Sequence, residues 1–165
     1  MGKYGMTAYY KEKLEAGLEY QDFIADQLRK ADPCIFIGAY SSRRYQNERG
    51  ESASGIEIKY DMRFKETGNL YIEVAEKSNA ALAEYSPSGI YRRDNTWLYL
   101  IGDYEQAFLF SKHQLQSIHA SEESWKRRGI RAVEIDTSRG FLYPAKNAVE
   151  NGACLKRFVF ANMEF

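Results

Sequence analysis

The chain runs to 165 residues, 44% of them hydrophobic, with 23 basic and 23 acidic side chains and a formal charge of zero. That length builds one domain, 1–165, with a sizeable core, and the charge balance argues against a nucleic-acid coat protein, which needs a basic excess. No apolar run reaches the roughly 18 residues of a membrane span, the opening MGKYGMTAYYKEK holds no secretion-signal core, and Cys34 and Cys154 form neither a disulfide framework nor a metal-ligand spacing, so the expected location is the cytoplasm.

In chain order, residues 10–30 predict a helix with Leu14, Leu18, Gln21, Ala25 and Leu28 on one face and Asp32-Pro33 as its stop. Gln21 is the polar member of that stripe. The apolar run 34–40 predicts a strand. Segment 41–54 is polar and carries Arg43, Arg44 and Arg49, which meet phosphates if the loop is functional and water if it is a linker.

The most informative stretch is 55–77. Its first half alternates Ile56, Ile58, Tyr60, Met62 and Phe64 with Glu57, Lys59, Asp61 and Arg63, and its second half alternates Leu70, Ile72 and Val74 with Tyr71, Glu73, Ala75 and Lys77. Gly68 and Asn69 between them suit a short turn, so the expectation is a β-hairpin. If 65 and 69 close that loop, Asp61 lies opposite Glu73, Lys59 opposite Ala75 and Glu57 opposite Lys77, at about 4.5–5.5 Å between Cβ atoms. Two carboxylates at that distance repel unless a cation lies between them, and a hard divalent ion meets that need. The same pattern also describes a solvated strand face with surface pairs contributing about 1 kcal/mol at most.

Residues 78–95 form a long segment with Arg92 and Arg93 that is functional, partly helical at 79–84, or mobile. Runs 96–101 and 107–110 predict strands buried on both faces. Ser111 and Gln114 form a capping box for a helix burying Leu115 and Ile118, and a second short helix ends at Gly129. His113 and His119 are spaced for no zinc site and are assigned to the surface. The cations Lys126, Arg127, Arg128 and Arg131 fit either a phosphate backbone or a charged helix end. Late strands are expected at 132–136 and 156–160, with a short helix from Pro144 to Asn151-Gly152. Phosphate-loop, dinucleotide and hydrolase-elbow motifs are absent from the sequence.

An Asp on one strand, then about a dozen residues, then a Glu on the next strand with a Lys two places on, is the PD-(D/E)XK pattern of restriction-endonuclease-like nucleases. Segment 17–118 resembles that family. Asp61 takes the first place and Glu73 the second, while position 75 is Ala, so the lysine's place falls to Lys59 or Lys77. Gly17-Leu18-Glu19-Tyr20-Gln21 is similar to the family's first-helix run, with Gln21 where the family has Glu.

The resemblance implies an α+β domain with one mixed central sheet flanked by helices, and a metal-dependent DNA endonuclease acting as a homodimer. It implies Mg²⁺ or Mn²⁺ held by Asp61, Glu73 and the Val74 carbonyl, with Glu57 and Gln21 assisting. Lys59 or Lys77 would orient the attacking water. Arg43, Arg44, Arg92 and Arg93 would contact DNA. Two other readings stay open: a non-catalytic nucleic-acid-binding or assembly module on the same fold, and a binding protein unrelated to nucleic acid.

Overall fold

The computed structural model describes residues 8–31 and 52–160. The expected strand at 34–40 and the arginines at 43, 44 and 49 lie outside them. The described elements are α1 (Ala8–Ala31), β1 (Ile56–Tyr60), α2 (Phe64–Thr67), β2 (Asn69–Glu76), β3 (Ser86–Pro87), a 3-10 turn (Gly89–Tyr91), β4 (Leu98–Gly102), β5 (Gln106–Ser111), α3 (Lys112–Ala120), α4 (Glu122–Arg128), β6 (Arg131–Ile135), β7 (Ser138–Pro144), α5 (Ala145–Glu150) and β8 (Lys156–Val159). The class is α+β, as the sequence implies. The single central sheet is not what forms: the strands build two four-stranded sheets, ordered β1-β4-β5-β8 and β3-β2-β7-β6.

β4 is the organising strand of the first sheet. Every residue from Leu98 to Gly102 is buried, as its unbroken apolar run requires. It pairs parallel with β1 and antiparallel with β5. One face of this sheet, through Ile58, Leu100 and Ala107, receives Tyr20, Ile24 and Leu28 of α1. The helix therefore buries a row spaced by four that keeps Leu28, with Ala25 packed beside it, from the expected stripe, while Leu18 of that stripe is 45% exposed. The other face, through Tyr99, Ile101, Phe108 and Phe110, packs in the main core with Leu70 and Ile72 of β2 and Phe141 and Tyr143 of β7. Leu115 and Ile118 of α3 join that core, and the Ser111 hydroxyl accepts the Gln114 amide, as the capping box predicts.

The expected hairpin does not form, because β1 and β2 belong to different sheets. The Asp61 carboxylate accepts the Arg63 amide at 3.1 Å, which turns the chain out of the strand. Phe64, apparently part of the alternation, instead opens α2 and is buried. Gly68 has the positive φ that the sequence suggested, at 66°, but uses it to end α2 rather than to close a hairpin.

Two further expectations change. Residues 79–84 form turns, with the Asn79 side chain accepting the Ala81 amide at 2.9 Å, and not a helix. β7 was not anticipated; it follows β6 after two residues and pairs with β2 along its whole length, with one irregularity between Glu73 and Ala75. Among the described residues no helix is long and apolar enough to cross a membrane.

Candidate functional site

Along β1, Ile56, Ile58 and Tyr60 pack toward α1, so the alternating Glu57 and Lys59 project from the opposite face, beside Tyr99 in the β4 register. Glu57 is 1% exposed. Its Oε1 lies 2.6 Å from the Lys59 Nζ, and its Oε2 accepts the Thr96 hydroxyl at 3.5 Å. The Lys59 side chain is 41% exposed, so the lysine spans from a buried carboxylate to solvent. An unpaired buried carboxylate would be costly, and Lys59 supplies the compensating charge.

The Tyr99 hydroxyl is buried here without a hydrogen-bond partner among the described residues. Burial, reinforced by the negative charge of Glu57 and opposed by Lys59, holds it far above the usual tyrosine range. A second buried pair adjoins this centre: Lys112 Nζ lies 2.9 Å from Asp94 Oδ1 and donates to the Arg92 carbonyl at 2.6 Å. The Asp94 charge also reaches the Tyr99 hydroxyl. The Asp94–Lys112 pair was invisible to local sequence patterns, since its members lie in a polar loop and at a helix start.

Asp61 and Glu73 are not brought onto a shared partner. Asp61 Oδ2 accepts the Tyr71 amide at 2.9 Å on the edge of β2, while Oδ1 serves Arg63. Burial raises its pKa; the backbone hydrogen bonds oppose that shift and the Asp103 charge adds to it. Glu73 accepts the Ser88 hydroxyl at 2.6 Å on one oxygen and the Ser138 hydroxyl at 2.8 Å on the other. Ser138 in turn bonds the Tyr71 hydroxyl, whose pKa burial pushes up to about 12. The Val74 carbonyl, expected to face a metal, accepts the Ser88 amide at 3.1 Å. Among the described residues no three acid, histidine or cysteine side chains gather as a metal site.

The remaining candidates are dispersed. Lys77 donates to the Leu82 carbonyl at 3.0 Å and sits over the Tyr85 ring, in a separate sheet from Glu57. Gln21 is half-buried on α1. Arg92 lies 3.8 Å from Asp94, whereas Arg93 is exposed. His119 is half-buried rather than fully exposed: it packs against Trp125 and Phe141 and shares a 2.8 Å hydrogen bond with the Tyr91 hydroxyl.

The pairing that the structure does make, Glu57 with Lys59, carries its own sequence signal: Glu57-Ile58-Lys59 is an acid and a lysine two places apart on one strand. No family model matches the chain, and no curated protein or solved structure matches it either.

Proposed function

We propose that the protein is a metal-dependent phosphodiesterase acting on DNA, with Glu57 and Lys59 at its centre. The supporting observation is a carboxylate 1% exposed in 2.6 Å contact with a lysine two residues along the same strand face. Apolar residues serve stability at least as well as a buried ion pair does, so a buried pair with one partner reaching solvent leaves room for a role beyond packing. The tripeptide Glu57-Ile58-Lys59 also supplies the acid-x-lysine element of the restriction-endonuclease-like pattern that Glu73 and Ala75 leave incomplete. A restriction-endonuclease-like core is part of the same proposal.

Mg²⁺ sites commonly use one or two carboxylates with waters and substrate phosphates, and Glu57 fits as one such ligand once the flexible Lys59 stem moves aside. The ion would polarise the phosphate and lower the pKa of the attacking water. Lys59 would bear on the phosphate oxygens, where its charge would favour the transition state over the ground state. The Thr96 hydroxyl holds the Glu57 side chain, and the burial shared with neighbouring Tyr99 gives a low-dielectric setting that strengthens those interactions.

Supercoiled, linear and branched DNA incubated with Mg²⁺, Mn²⁺ or EDTA tests this. Metal-dependent cutting is expected, reduced at least about 100-fold in Glu57→Gln and in Lys59→Met. Full activity in both variants would move the chemistry elsewhere. Binding without cutting would favour the non-catalytic module, for which Ala75 in the lysine's place is the specific argument.

A further inference from the structure

On the outer side of β2 a groove of about 800 Å³ is lined by Val74, Tyr85, Pro87, Tyr91, Arg93 and Arg139 among others. Its lining contains two guanidinium groups and no carboxylate. Arg139 lies over the Tyr85 ring, 3.9 Å from the centroid, and its Nε donates to Glu134 at 2.8 Å. Glu134 also accepts the Tyr85 hydroxyl at 3.1 Å, so one carboxylate locks the cation and the ring in a stacked pair. Lys77 approaches the same ring at 4.8 Å. Arg93 is exposed and has no ion-pair partner among the described residues.

We infer that this groove binds single-stranded nucleic acid, the phosphates meeting Arg93 and Arg139 and the bases lying on the apolar surface of Pro87, Tyr91 and the Arg139–Tyr85 stack. Arg93, Arg139 and Lys77 together outweigh Glu134 around the groove, and that positive excess suits a polyanion. The groove's aromatic and apolar area suits a polyanion that exposes flat faces, and a duplex stacks its base faces out of reach, whereas a single strand presents base faces and phosphates together. The volume falls in the range of built ligand sites. The inference rests on the proposed function for the class of polymer, and it adds the strand state and the surface that holds it.

Fluorescence anisotropy tests it with a labelled single-stranded oligonucleotide of about 16 nucleotides and its matched duplex, both in EDTA so that nothing is cut. The wild-type chain is expected to bind the single strand more tightly than the duplex. Arg93→Ala combined with Arg139→Ala is expected to weaken single-strand binding at least about tenfold and to flatten its salt dependence. Both residues are exposed, and an unchanged melting temperature in the variant confirms that the loss is local. Equal affinity for the two strand states, or unaltered binding by the double variant, would overturn the inference. The catalytic proposal fails separately: groove-dependent binding with no cutting under any metal sinks the phosphodiesterase and leaves the groove standing. Normal cutting by a double variant that binds single strands like the wild type does the reverse.

Discussion

At the scale of single residues, His119 couples the core to pH. Burial against Trp125 and Phe141 lowers its pKa below the usual histidine value, only partly offset by the charge of Glu122. Below about 6.5 the unfolded chain takes up a proton that the folded chain resists, so the stability that His119 lends is complete above that pH and declines as pH falls toward the depressed folded value. Thermal melts between about pH 7.5 and 5 should show a decline that is shallower in His119→Gln, and parallel slopes in the two proteins would remove the assignment. Local pattern does not signal this burial, because a histidine in a polar helix looks alike whether or not a neighbouring strand covers it. Glu57 and Lys59 were recognisable as an acid and a base on one strand. What local pattern could not supply was the parallel neighbour, β4, that brings Tyr99 alongside and closes Glu57 from water. Parallel pairing joins distant segments, so no turn signal announces it.

Among elements, those governed by local chemistry were the legible ones. The Ser111 cap, the continuous apolar β4 and the short helix beginning after Pro144 all follow from residues within a turn of each other. The hairpin expectation failed where two local rules competed, since Asp61 and Gly68 bracket a helical turn as readily as a two-strand reversal. β7 has no clear local signature because Gly140 interrupts its alternation; a side chain there would stand 2.3 Å from the Ile72 carbonyl. The 3-10 turn depends on a similar close approach. Gly89 has φ of +50°, and a Cβ would fall 2.2 Å from the Glu73 carbonyl oxygen. Gly89→Ala should therefore push the turn off β2, loosen the Ser88–Glu73 bond and cost at least about 1–3 kcal/mol in denaturant unfolding. Gly17→Ala is the opposite case: it lies within α1 with no atom within 4 Å of the added carbon, and should stabilise by about 0.5–1 kcal/mol. Equal effects at the two positions would refute the packing argument.

At the scale of the whole molecule, Asp61 is where the two sheets are tied together by hydrogen bonds. Its amide donates to the Gly102 carbonyl at 2.8 Å, extending the β1–β4 ladder of one sheet, while its carboxylate accepts the Tyr71 amide on β2 of the other. Removing the carboxylate leaves the Tyr71 and Arg63 amides without acceptors, so Asp61→Ala should cost about 1–3 kcal/mol and Asp61→Asn, which keeps one acceptor oxygen, less. The raised pKa sets the direction of the accompanying pH effect. An acid that holds its proton more tightly when folded adds stability below its folded pKa and loses it as pH rises through the window between 3.8 and that value. The Asp61→Ala deficit should thus be larger in mild acid than at neutrality. Cutting and unfolding measured on the same Asp61→Asn preparation then separate structure from chemistry. If the residue is a tie between sheets, the folded fraction retains its metal-dependent cutting. If cutting vanishes while the unfolding curve stays close to wild type, Asp61 joins Glu57 in handling the phosphate, and the amides it now serves must release it when substrate arrives.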